Sequence, residues 1–194
     1  MIRFLPIIVF FSFYHKNERL IQDVNRWDRS DVKLNIKLAD LLYKYKEFRN
    51  LFIYRNYKHK LFYRWIKLWY PPEKTLFIEC SDIGGGFFIL HGFATYIVAQ
   101  KIGKNFTVNQ QVTIGYRGTA GCPIIGDNVY VTCGAKVLGN ITIGDNVRVG
   151  ANAVVIKDYK RGHGILVGVP AVPKKEISKE DLKKAGVTID ESLF

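Results

Sequence analysis

Aliphatic residues recur at every sixth position through the second half of the chain. Ile102, Val108 and Ile114 form one run; after a step of eleven residues, Ile125, Val131, Val137, Ile143, Val149 and Val155 form another. Glycine follows several of them (Gly103, Gly115, Gly126, Gly144, Gly150), and an Asp-Asn pair recurs in register at Asp127-Asn128 and Asp145-Asn146. Six residues turn an α-helix by about 600°, so an apolar stripe of this period cannot stay on one helical face. A flat strand alternates with period two and needs no turn residue at each sixth position. A triangular β-coil needs both features: an aliphatic side chain pointing inward on each side, and a permissive backbone at each corner. The pattern predicts a mainly β chain wound as a parallel β-helix, with nearly four coils of eighteen residues between Leu90 and Lys160. The single long step holds Tyr116-Arg117-Gly118-Thr119-Ala120-Gly121-Cys122. A polar, glycine-containing loop that interrupts a regular solenoid is a place for function.

The first half reads differently. Residues 1–77 contain no glycine, whereas the remaining 117 hold all 17. Residues 41–69 read as helix, ended by Pro71-Pro72. Residues 31–38 alternate like a strand and stay ambiguous between strand and helix. At the other end, Ser178-Lys179-Glu180-Asp181 has the pattern of a helix start, predicting a short C-terminal helix that stops at Gly186. The division expected is a helical N-terminal region over 1–77, a β-helix over 78–174 and a helix or tail over 175–194.

Composition narrows the class. Of 194 residues, 48% are apolar and 14% aromatic, which excludes a disordered chain. Three cysteines without paired spacing (Cys80, Cys122, Cys133) exclude a disulfide scaffold and predict a reducing, cytoplasmic setting. The apolar run over 4–14 is about half a membrane span and contains Pro6, and charged residues follow it, so neither a span nor a cleaved signal peptide is expected. The net charge is +12, and residues 41–74 hold nine Lys+Arg, two acids and eleven of the 27 aromatics. Two readings of that segment stand. Its aromatics pack against the β-helix with a solvated basic face, or it lies along an anionic membrane surface, peripheral at the inner face, and meets a lipid-linked saccharide. Nucleic acid is not expected as a partner, because no reader motif accompanies the charge.

Three segments carry a family resemblance: Val112-Thr113-Ile114-Gly115, Gly134-Ala135-Lys136-Val137-Leu138-Gly139-Asn140 and Gly168-Val169-Pro170-Ala171. Residues 78–174 resemble the hexapeptide-repeat acyltransferases, in particular the serine acetyltransferase branch and the polysaccharide O-acetyltransferases that share its β-helix. The resemblance implies a left-handed β-helix, a homotrimer, and acetyl-CoA as co-substrate in a groove between neighbouring β-helices. It places the catalytic base at His91, in Ile89-Leu90-His91-Gly92-Phe93. Histidine suits that task because its pKa lies near the operating pH. His15 and His59 read as solvated, and His163 as part of a turn. A carboxylate orients such a base; Glu79 is the first choice and Asp82 the second. The resemblance further implies a cofactor groove at Gly115, Tyr116, Cys133, Gly134 and Ala151, with Lys174 and Lys175 near the nucleotide phosphates. Backbone N–H groups near Gly115 would serve the oxyanion, and Cys133 is not expected as a nucleophile.

The acceptor is read from a departure. Serine acetyltransferases carry an Arg-His pair before the proline that re-enters the β-helix, and this chain reads Gly121-Cys122-Pro123. Arg117 and Asn109 are the candidate acceptor contacts, and a sugar hydroxyl in surface-polysaccharide assembly is preferred to serine. Serine O-acetylation and a non-catalytic scaffold remain as alternatives. No metal is expected, since the zinc-binding relatives of this fold need three histidines and only His91 falls in the coils. No glycine-rich nucleotide loop precedes the repeats.

Overall fold

A computed structural model of the chain describes residues 17–58, 64, 67–119 and 121–174. The apolar run over 4–14, His15, His59, Lys175 and the expected C-terminal helix lie outside the described residues. From Leu76 onward the chain winds as a three-sided parallel β-helix. Face A stacks β1 (Leu76–Cys80), β3 (Thr95–Ala99), β6 (Thr113–Gly115), β9 (Lys136–Leu138) and β12 (Val154–Val155). Face B stacks β4 (Lys101–Ile102), β7 (Ile124–Ile125) and β10 (Thr142–Ile143). Face C stacks β2 (Phe88–Leu90), β5 (Thr107–Asn109), β8 (Tyr130–Val131), β11 (Val147–Val149) and β13 (Gly164–Val167); β14 (Val172–Lys174) then folds back antiparallel on β13. The six-residue aliphatic ladder points inward on all three faces, and its members are buried.

There are five coils rather than nearly four, because the first coil does not keep the six-residue step. Its inward residues are Ile83, Ile89 and Ile97, set beside Ile102, Val108 and Ile114 of the next coil. The step from Ile89 to Ile97 is eight residues, since the turn between β2 and β3 is longer than its counterpart. Leu90 pairs with Asn109 and Tyr96 with Thr113, leaving residues 91–95 opposite residues 110–112. The hexad pattern therefore hides one coil and an insertion of two residues.

Corners are held by side chains suited to them. At the corner before face C, Asn105, Asn128, Asn146 and His163 all have left-handed backbone, with φ of 55°, 55°, 57° and 50°. Their side chains form a ladder: Asn105 donates to Asn128 at 3.0 Å, Asn128 to Asn146 at 2.9 Å, and Asn146 meets His163 Nε2 at 3.2 Å. The glycines two residues before the asparagines are required by space. A Cβ on Gly103 would lie 2.5 Å from the Gly126 carbonyl carbon and 2.6 Å from the Asp127 nitrogen. Backbone cannot move aside cheaply, so Gly103→Ala is expected to lower stability by about 1–3 kcal/mol. An unchanged urea midpoint would refute this.

Among the described residues, three helices close the first coil: α1 (Glu18–Trp27), α2 (Leu34–Lys44) and α3 (Lys46–Arg55). Asn17 caps α1, its side chain accepting from the Leu20 N–H at 3.1 Å. The ambiguous 31–38 segment resolves as helix from Leu34, with Leu38, Leu41 and Leu42 buried along one stripe. The single helix expected over 41–69 is broken instead: Tyr45 is extended, and α3 ends at Arg55, with Asn56 as its C-cap. Arg49 explains the break. Its guanidinium takes the carbonyls of Leu42 and Tyr43, left without helical partners at the end of α2, and that of Pro71, at 2.6–2.8 Å.

The cap is pinned to the β-helix by a buried ion pair. Arg55 meets Asp23 at 2.7 Å, with side chains 4% and 0% exposed, and donates to the carbonyls of Ile83 and Gly84 at 2.6 Å each. The other oxygen of Asp23 accepts from the Phe87 N–H at 2.8 Å. Burial pushes the Asp23 carboxyl up from its ordinary value, against the opposing pull of Arg55. Trp27 donates to the Phe87 carbonyl and packs on Phe48 and Phe88. Phe48, Phe52 and Tyr70 of the basic, aromatic segment are thus buried with Arg49 and Arg55, while Lys44, Lys46, Lys58, Arg64, Lys67 and Lys74 face outward. No helix among the described residues is long and apolar enough to cross a membrane.

Candidate active site

His91 stands at the corner from face C to face A, exposed, on the longer turn that breaks the hexad. Its φ is +54°, and that of Ala94 in the same turn is +51°. Non-glycine residues adopt this region seldom, and such conformations persist where neighbours over-determine them. Thr75 supplies the constraint: its hydroxyl accepts from the Ala94 N–H at 2.9 Å and its carbonyl from the Thr95 N–H at 3.0 Å. The Phe93 N–H closes the turn on the His91 carbonyl at 2.9 Å. Gly92 is enclosed. A Cβ there would lie 2.7 Å from Ile89, 2.9 Å from Leu76 and 3.2 Å from Glu47 Cγ.

The fold brings Glu47 to this turn, its Cγ beside Gly92, an acid outside the two sequence candidates. It is half-buried in the first turn of α3, whose other charged residues are basic. A lone acid in a basic helix was the available signal. Glu79 and Asp82 are engaged elsewhere. Glu79 lies three residues along β1 from Leu76, about 10 Å at strand rise, and accepts from the Tyr96 hydroxyl at 3.2 Å. The charge of Glu79 holds the Tyr96 phenol above its ordinary value. Asp82 lies past the corner toward face B, paired with Arg19 at 2.7 Å. Neither stands beside His91 within one copy of the chain.

The other candidates divide between two edges of the prism. Cys133, Gly134 and Ala151 stack on the same edge as His91, tied coil to coil by the Gln111 N–H on the Phe93 carbonyl, Gly134 on Gln110 and Asn152 on Cys133. Asn109 ends β5 directly beside Leu90, so it adjoins His91. Its side-chain oxygen and that of Gln110 are buried and accept no hydrogen bond. Gly115, Tyr116 and Arg117 occupy the next edge, across face A. Arg117 packs on Gly139, and the loop re-enters with the Gln100 amide donating to the Cys122 carbonyl at 2.8 Å and to Asn140 at 3.0 Å. Lys174 is exposed on β14, opposite Ile165 on face C, at the far end of the stack from His91.

This arrangement, repeats with one excursion and one enlarged corner, agrees with what comparison finds. Residues 122–157 match the family model described as bacterial transferase hexapeptide (six repeats). Those residues are the hexapeptide repeats of that model. A serine acetyltransferase of Staphylococcus xylosus is 47% identical to the chain over 66 residues, 32% of the chain and 31% of that protein. WcaB of Escherichia coli strain K12, named for colanic acid biosynthesis as an acetyltransferase, is 41% identical over 90 residues, 39% of the chain and 56% of that protein. The matched region thus spans about a third of the first relative and just over half of the second. Among solved structures, serine acetyltransferase from Brucella abortus strain S19 in complex with coenzyme A superposes with a TM-score of 0.58 at 19% identity, covering 90% of this chain and 74% of that one. That likeness extends the shared fold beyond the repeats to the helical cap.

Proposed function

We propose that the chain is an acetyl-CoA-dependent O-acetyltransferase whose acceptor is a sugar hydroxyl of a surface polysaccharide. The observation that carries the reading is His91, held in left-handed backbone on a turn two residues longer than its counterpart, with Glu47 packed against it. An alcohol is hardly ionised at neutral pH, so it needs a base placed at its proton. His91 takes that proton as the oxygen attacks the thioester carbonyl, and then returns it to the departing CoA thiolate. Glu47 orients the ring. The small residues Cys133, Gly134 and Ala151 on the His91 edge suit the narrow, nearly uncharged pantetheine arm. One copy alone does not join that edge to Gly115, Tyr116 and Arg117. A neighbouring copy that sets its own loop edge against the His91 edge does, and this favours a homotrimer.

The excursion loop supports a sugar over serine. A free amino acid needs a cation for its carboxylate; the positions before Pro123 are Gly121, with φ of +89° against Asn140, and Cys122, which is buried, and the loop's cation, Arg117, sits several residues earlier with its stem against Gly139. Serine O-acetylation is the second reading, favoured by the Staphylococcus xylosus relative. Thiol release from acetyl-CoA, followed with L-serine and with free hexoses and N-acetylhexosamines, separates the two. Release with a sugar and none above background with serine is the expected result. Turnover with serine alone would overturn the sugar reading, and a failure to bind CoA would overturn both.

A further inference from the structure

A cleft of about 820 Å³ runs between α3 and the outer edge of β1, closed on one side by residues 72–74. Three aromatic rings line it, Tyr54, Tyr57 and Phe77, together with the charged groups of Lys74 and Glu79. We propose that this cleft is the acceptor subsite, and that it holds an oligosaccharide. The proposal rests on the transferase reading above and names the acceptor's size and chemistry.

The lining has the two properties a pyranose needs. The flat face of a sugar ring carries C–H bonds, which the electron-rich face of an aromatic ring attracts. Its rim carries hydroxyls, which a carboxylate accepts and an ammonium group donates to. Tyr57 and Phe77 are 63% and 49% exposed, large for rings in a concavity, so their faces are open to a ligand. The walls are also fixed in advance. The Tyr54 hydroxyl donates to the Cys80 carbonyl at 3.0 Å, its ring lies 5.4 Å from the Arg55 guanidinium, and burial pushes its phenol up to about 12, so it stays a donor. Phe77 leans on Tyr96 at 5.5 Å between ring centres, and the Tyr96 hydroxyl holds Glu79. One tyrosine therefore sets both a stacking ring and a hydroxyl acceptor. Such prior ordering lowers the entropy lost on binding.

Size and position complete the argument. Small-molecule sites run to roughly 1,000 Å³, so this cleft is near the top of the range and a free amino acid would leave most of it empty. A purely apolar chain would find Lys74 and Glu79 without use. Leu76 belongs to both places: it lines the cleft, and its side chain packs against the Gly92 turn that carries His91. Helix α3 presents Glu47 to that turn and Tyr54 to the cleft, with Tyr57 just beyond its end. The cleft then follows β1 for about 13 Å from its Leu76 end. An oligosaccharide laid along it stacks on the rings, with the Leu76 end of the cleft on the side of the turn that carries His91.

The full chain titrated with maltotriose, triacetylchitotriose and 3′-sialyllactose, followed by saturation-transfer NMR, tests the site without catalysis. Binding of at least one trisaccharide is expected, weakened tenfold or more by Tyr57→Ala and by Phe77→Ala, with CoA affinity and the urea midpoint unchanged. No binding by any of the three, or equal binding by both variants, would overturn the proposal. Two outcomes tell its failure from that of the transferase reading. Trisaccharide binding without any CoA binding keeps the cleft and removes the transferase. Thiol release with a trisaccharide that neither substitution alters keeps the transferase and removes the cleft.

Discussion

Replacing His91 by alanine is expected to lower acetyl transfer by a factor of about 10²–10⁴, the range that a positioned general base supplies. CoA binding should survive, because the small residues assigned to the pantetheine arm lie in later coils. Alanine keeps a Cβ at φ +54° and gains none of glycine's freedom, and the turn stays fixed by the Thr75 hydroxyl and carbonyl. Single-turnover thiol release against a CoA titration on the same sample measures both quantities. Retention of more than a tenth of the wild-type rate would remove His91 from the mechanism. Glu47→Gln belongs to the same experiment: it keeps the shape beside Gly92 and removes the charge, so a smaller rate loss with unaltered CoA affinity is expected.

The second large effect lies in the cap. Asp23→Ala is expected to cost about 3–5 kcal/mol, the penalty for leaving one member of a buried ion pair without its partner. Arg55 would keep the carbonyls of Ile83 and Gly84 but lose its only buried counter-charge among the described residues, and the Phe87 N–H would lose its acceptor. Against a typical domain stability of about 5–15 kcal/mol this is a large fraction. Urea denaturation gives the magnitude, and limited proteolysis shows whether α1 and α3 detach before the coils unwind. A loss under about 1 kcal/mol would mean that Trp27 and the leucine stripe, rather than the ion pair, hold the cap.

What could be read from the sequence follows what repeats. Each coil must bury an aliphatic residue on each side, so Ile102 to Val155 announce the solenoid and its excursion at Tyr116. The first coil escapes notice because its steps from Ile83 are six, eight and five residues. That irregularity is the enlarged His91 turn itself: the feature that serves chemistry is the one that erased the pattern. His91 was legible through the resemblance, and the family's spacing of its carboxylate pointed to Glu79 and Asp82. The acid whose Cγ lies beside Gly92 of the same turn is Glu47, forty-four residues upstream of His91 on a helix laid across the coil. Asp23 and Arg55 escaped for the same reason. Thirty-two residues separate them in a segment rich in charge, and nothing local distinguishes a buried pair from solvated ones.

A stack of equivalent coils contains no instruction to stop, since the exposed edge of the last strand matches the edge it has just covered. The chain ends its stack differently on its two sides. On β1, Asn50 and Tyr54 of α3 donate to the outward carbonyls of Leu76 and Cys80, occupying acceptors that another strand would seek. On face C, β14 reverses direction along β13 and presents Pro173 and Lys174, one without an N–H to offer and the other charged. Rod length is therefore set by these stoppers rather than by the repeat. Among the described residues, a second molecule approaching end-on along face C or β1 meets blunted edges.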